Sequence, residues 1–214
     1  MITYATGDTM IPVYKAIRNK IEGGTADFSK TAAFHLDEYY PCFPDETHGF
    51  QRFLLHYVFR PFQIPPEKCF AINGTAQDPD AEATRYNLLL SQQQVDLAIL
   101  GIGPGSHIAF NEQGTPFDSQ THLVILSQRT IYRDREERGQ NTPIYAITQG
   151  IANILAAERI LLIAYGSNKG KYLKPALFEP TNVQYPASAL RLVGEKVKIL
   201  IDQQAAAVLL TPAQ

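Results

Sequence analysis

Short apolar runs broken by polar, glycine-bearing turns recur along the chain. Between them lie stretches whose apolar residues return every three or four positions. Ile2–Ala5, Thr31–Leu36, Cys69–Ile72, Asp96–Leu100, Thr121–Leu126, Tyr145–Thr148, Arg159–Tyr165 and Val197–Ile201 have the length and composition of strands. Ile11, Tyr14, Lys15, Ile17 and Ile21 predict a helix over 11–22. Phe50, Phe53, Leu54, Tyr57 and Val58 follow the i, i+3, i+4, i+7, i+8 spacing of an apolar helix face. Helices are also expected over 78–93, over 149–157, after Lys169 and over 188–193, with Pro175 ending or kinking the one after Lys169. Pro41–Thr47 reads as loop. Strands alternating with helices predict an α/β fold, a mostly parallel sheet covered by helices on both faces.

In such sheets ligands gather where strands end in loops at the carboxyl edge. The central stretch is V-D-L-A-I-L-G-I-G-P-G-S-H-I-A-F-N-E, residues 95–112. Its strand breaks at Gly101, Gly103, Pro104 and Gly105, and His107 and Glu112 follow. Glycines let backbone approach a ligand closely, and an imidazole moves protons near neutral pH. The strand over 31–36 runs into Asp37-Glu38-Tyr39-Tyr40, which reads either as a proton-transfer site or as a solvated turn. Thr6-Gly7-Asp8-Thr9, between strand and helix, can offer backbone N–H groups to a phosphate, although Asp8 would repel one. The same four residues also fit an ordinary N-cap by Asp8 or Thr9. Lys169, in the turn Gly166-Ser167-Asn168-Lys169, is well placed for an anion. Four arginines between Arg129 and Arg138, mixed with Asp134, Glu136 and Glu137, read either as a charged solvated segment or as the source of one phosphate-binding guanidinium.

The 214 residues suit one domain, and 45% hydrophobic against 19% charged residues allows a full core. A net charge of −2 gives no global basic excess for nucleic acid or an anionic membrane, so any anion must be held by local groups. Cys42 and Cys69 lack metal-ligand spacing, though one disulfide stays open. Neither a leader pattern at the start nor an apolar run of roughly 18 residues is present, so the default expectation is a soluble cytoplasmic protein.

Three segments, F-H-L-D-E-Y (34–39), G-I-G-P-G-S-H-I-A-F-N-E (101–112) and Y-A-I-T-Q-G…L-L-I-A-Y-G-S-N-K (145–169), resemble glucosamine-6-phosphate deaminase in motif, order and separation. The resemblance implies a single modified Rossmann-like α/β domain over 1–214. It implies conversion of glucosamine 6-phosphate and water to fructose 6-phosphate and ammonia, with no cofactor and no metal. By position, Asp37 matches the carboxylate that moves a proton between C2 and C1. His107 matches the imidazole that opens the pyranose ring, and Glu112 the acid that orients it. Thr6, Gly7 and Thr9 fall in the family's phosphate turn, and Lys169 matches its phosphate lysine. Counted ungapped from H-I-A-F-N-E, the family's phosphate arginine falls at Glu136, which assigns the contact to the neighbouring Arg135.

This chain departs from that pattern at several places. Gly105 stands where the family usually has an aspartate assisting ring opening, which weakens that step. Ser106 replaces a glycine, and the turn reads T-G-D-T-M rather than T-G-G-T-P or T-G-S-T-P. The family's first strand and helix have no counterpart before Ile2, which would leave sheet exposed or covered by a partner; a homo-oligomer is left open. The expected ligand is a small phosphosugar. Two alternatives remain: 6-phosphogluconolactonase, whose G-D-E-R and H-T-A-S are here L-D-E-Y and H-I-A-F, and a phosphosugar-binding protein of weak or no activity.

Overall fold

The computed structural model describes residues 1–211. In chain order the elements are β1 (Ile2–Tyr4), α1 (Ile11–Glu22), β2 (Ala33–His35), β3 (Asp37–Tyr40), α2 (Phe50–Leu54), β4 (Cys69–Phe70), α3 (Pro79–Ser91), β5 (Leu97–Leu100), β6 (His122–Ile125), α4 (Gln128–Arg138), β7 (Tyr145–Thr148), α5 (Ile151–Leu155), β8 (Arg159–Ala164), α6 (Ser167–Phe178), β9 (Val197–Ile201) and α7 (Gln203–Leu210). Six strands form one sheet in the order β4-β2-β1-β5-β8-β9, and every pairing in it is parallel. Its central strands are apolar and buried, as strands covered on both faces must be. Helices pack around this sheet, so the α/β expectation holds.

The turn expected at Asp37-Glu38-Tyr39-Tyr40 is instead strand β3 of a second sheet, β3-β7-β6, whose pairings are antiparallel. One residue, Leu36, separates β2 from β3, too short a link for a parallel crossover. The chain therefore changes sheets at Leu36. Gln149 holds the joint: its N–H donates to the Leu36 carbonyl at 2.9 Å and its side chain to the His35 carbonyl at 2.8 Å.

The strand order reverses beside β1. The chain builds β1, β2 and β4 outward in one direction, then crosses to β5 on β1's other side. A crevice opens at such a reversal, outside the carboxyl ends of the strands. Under the sheet, Tyr4, Tyr14 and Phe62 meet edge to face with centroids 5.9–6.2 Å apart. The buried Tyr14 hydroxyl is satisfied by the Ala5 carbonyl at 2.6 Å, as burial of a phenol requires.

Other details differ from the periodicity. The helix over 50–58 begins as α2 but widens into a π turn over Leu55–Phe59, with Arg60 N–H reaching the Leu55 carbonyl. Pro175 does not end its helix, which runs on to Phe178. The helix expected over 188–193 is part of a 3₁₀ stretch, Pro186–Lys196, broken at Val193. Helix α7, capped by the Asp202 carboxylate on Ala205 N–H, was not anticipated. Both cysteines are free.

Candidate active site

A cavity of about 200 Å³ lies in the crevice at the carboxyl ends of β1, β2 and β5. Four loops close on it. The turn after β1 supplies Thr6, Gly7, Asp8 and Thr9; the β2–β3 joint supplies Leu36 and Asp37. The loop after β5 supplies Gly101 to Gly103 and His107, and the first turn of α6 supplies Lys169. Helix α4 adds Arg133, Glu137 and Arg138, and Phe50 and Phe110 form an apolar wall.

Asp37 is 6% exposed, and its Oδ1 is buried without a hydrogen-bond partner. Burial, then the neighbouring Glu38 carboxylate, push its pKa up to about 8, against the opposing pull of Arg138. Glu38 points the other way: it accepts N–H groups of Tyr39, Phe50 and Gln51 at 2.7–2.9 Å and so seats the N-terminus of α2. Glu38 is thus held by backbone donors away from the cavity, while Asp37 faces it.

His107 is placed by the 3₁₀ turn over Pro104–Ser106. Gly103 N–H donates to the His107 carbonyl at 3.0 Å, and Ser106 Oγ donates to the Tyr172 carbonyl at 2.6 Å. The ring lies flat against Gly103: a Cβ at that position would stand 1.8 Å from His107 Nε2. Burial, then the charges of Arg133, Lys169 and Arg129, depress the His107 pKa to about 3. The imidazole is therefore neutral at neutral pH, with one ring nitrogen free to accept a hydrogen bond.

Glu112 does not occupy the position expected for it. Its carboxylate accepts Ser127 N–H at 2.9 Å, at the start of α4, and it does not line the cavity. No hydrogen bond joins it to His107, whose electrostatic neighbours are cations. The reason is local: after Ala109, at φ +52, the chain turns through an Ile108–Asn111 bridge that carries Glu112 toward α4.

Arg135 is corrected as well: Arg133 and Arg138 line the cavity and Arg135 does not. Residues advance about 100° per position round a helix. The face formed by 133, 137 and 138 therefore leaves 135 and 136 on the far side of α4. Arg133 is fixed by Asp134, whose Oδ1 accepts its Nε–H at 2.8 Å and whose Oδ2 accepts the Tyr39 hydroxyl at 2.7 Å. The arginine run carried a usable signal, the i, i+4 pair Arg133 and Glu137, but choosing the face required knowing where α4 packs.

Lys169 donates its Nζ–H to the Ile102 carbonyl at 2.6 Å, and burial, then Arg133, lower its pKa to about 8. Gly7 has φ +101, and its turn points toward the same cations. Lys169, Arg133, Arg138, the Thr6–Thr9 turn, Asp37 and His107 therefore share one cavity.

A family model described as glucosamine-6-phosphate isomerases/6-phosphogluconolactonase matches residues 2–199. The chain is 37% identical over 206 residues to a glucosamine-6-phosphate deaminase of Lacticaseibacillus paracasei, covering 94% of this chain and 84% of that protein. It is 39% identical over 207 residues to a glucosamine-6-phosphate deaminase of Streptococcus sanguinis, covering 96% of this chain and 85% of that one. Among solved structures, a monomeric glucosamine-6-phosphate deaminase superposes with a TM-score of 0.92 at 33% identity, over 97% of this chain and 87% of the other. The 6-phosphogluconolactonase of Thermotoga maritima superposes with a TM-score of 0.73 at 21% identity, over 94% and 83%, a likeness of fold.

Proposed function

This chain belongs to the glucosamine-6-phosphate isomerase/6-phosphogluconolactonase family, and on that premise we propose that it converts glucosamine 6-phosphate and water to fructose 6-phosphate and ammonia. The observation that carries this reading is the meeting of Asp37, His107, Lys169 and the Thr6–Thr9 turn in one cavity. The phosphate lies against the turn, between Lys169 and the Nη1 side of Arg133, since Asp134 takes that arginine's Nε–Nη2 edge. That leaves the sugar's C1 and C2 near the proton-transfer groups.

Neutral His107 takes the proton of the anomeric hydroxyl and returns it to the ring oxygen as the C1–O5 bond breaks, giving the open aldehyde. Asp37 removes the C2 proton in its carboxylate form, the minority form at neutral pH for a group titrating at about 8, and delivers that proton to C1. As the amine gives up a proton and O1 gains one, the amino carbon becomes an imine; water adds there and ammonia leaves. A carboxyl titrating at about 8 is a stronger base than an ordinary aspartate, which suits removal of a carbon-bound proton. Glu112 acts at one remove, by seating the start of α4 through Ser127.

Incubation with glucosamine 6-phosphate is expected to release ammonia and fructose 6-phosphate in equal amounts, and Asp37→Asn to lower kcat by roughly a thousandfold or more. Gly105→Asp introduces the aspartate that the family resemblance implies at this position. Gly105 has φ +71, which aspartate tolerates better than most residues, and the new Cβ meets the flexible Gln113 side chain at 3.2 Å. This variant is expected to be faster than wild type. Phosphosugar binding without ammonia release under saturating substrate would overturn the proposal.

A further inference from the structure

Arg138 contributes to the cavity in a way that the proton-transfer chemistry does not use. Of the three cations lining the cavity, Arg133 is committed to Asp134 and lies 3.9 Å from Glu137. Lys169 already donates to the Ile102 carbonyl. Arg138 has no hydrogen-bond or ion-pair partner among the described residues. Its guanidinium lies over the Phe50 ring, 4.8 Å from the centroid, so its orientation is held by stacking rather than by an acid. Nη2 stands 3.7 Å from where a Cβ on Gly7 would be, which puts the unused donors beside the turn.

Charge in the cavity gives this placement a purpose. Asp8 and Glu137 line the same cavity as the cations, and both lie near Lys169. Asp8 and Glu137 offset much of the charge of Arg133 and Lys169, and Arg138 adds a third positive group beside the turn. We propose that Arg138 is a further phosphate-binding residue whose charge offsets Asp8, so that the two act as a unit in holding the substrate's phosphate. This rests on the phosphosugar reading of the cavity.

The test is a double-mutant cycle with Arg138→Met, which keeps an unbranched stem on Phe50, Asp8→Ser, and the pair. Two quantities are read: the affinity for inorganic phosphate by calorimetry, and KM for glucosamine 6-phosphate on full pH profiles, since Arg138 also faces Asp37. Arg138→Met is expected to weaken phosphate binding and raise KM roughly ten- to hundredfold, the range of a charge-assisted hydrogen bond, with the loss mainly in KM. Arg138→Lys is expected to recover part of it. In the Asp8→Ser background the same substitution is expected to cost only about threefold. Phosphate affinity within about twofold of wild type in Arg138→Met, or strictly additive effects across the cycle, would overturn the inference. Calorimetry needs no turnover: a wild type that releases no ammonia, with the phosphate cycle as described, removes the deaminase reading alone.

Discussion

The close approach of Gly103 and His107 sets where the imidazole stands in the cavity. Gly103 has φ −115 and ψ −179, extended backbone open to any residue. Its requirement for glycine therefore comes from space, because the His107 ring fills the volume of a side chain. Gly103→Ala is expected to keep the fold, read as an unchanged far-ultraviolet spectrum, while the 1.8 Å overlap with the buried ring lowers stability by about 1–3 kcal/mol, the usual range for overpacking. The same variant should lower kcat by about a hundredfold, since a displacement near 1 Å is costly in a proton-transfer site. Normal kcat with an alanine there would mean that His107 does not take part. The glycine-rich break after β5 was legible as a place for close approach. What approaches it was not: glycines there suggest a ligand, and the structure puts the protein's own imidazole in that place.

Helix α4 shows how one element brings its charges to the site. Ser127 caps it on Thr130 N–H, and Thr130, Ile131 and Asp134 form its buried side. Asp134 is fully buried and takes hydrogen bonds from Tyr39 on β3 and from Arg133 beside it. One carboxylate thus ties the second sheet to a cavity-lining arginine. Asp134→Ala is expected to destabilise the protein by about 2–4 kcal/mol in urea unfolding, somewhat less than breaking a fully buried pair, because Arg133 keeps partial exposure. It is also expected to raise KM as Arg133 loses its anchor. A KM that stays put would remove Arg133 from the phosphate site. Element existence along the chain was largely readable, because buried parallel strands and amphipathic helices differ in period. The face that α4 turns to the cavity was not readable, since a mixed-charge helix has no apolar stripe strong enough to orient it.

Across the whole molecule, Asp37 sets a cost that the fold as a unit must meet. Its pKa of about 8 lies above the ordinary carboxylate value of 3.8, so between those limits the folded state binds more protons than the unfolded one. Stability then falls as pH rises through that window. Asp37→Asn is expected to raise the unfolding midpoint at pH 8–9 and leave it nearly unchanged at pH 4; equal effects at both pH values would mean that Asp37 is not buried as a reluctant carboxylate. The sequence by itself determined the α/β class, the strand–turn–helix punctuation and the residue types for proton transfer and anion binding, because those depend on periodicity, local turn chemistry and side-chain inventory. Tertiary structure alone decided that residues 37–40 leave the parallel sheet, that Glu112 turns to Ser127, and that Arg133 and Arg138 rather than Arg135 face the cavity. Those outcomes depend on which surfaces meet across long stretches of chain, and no local pattern of residues encodes that.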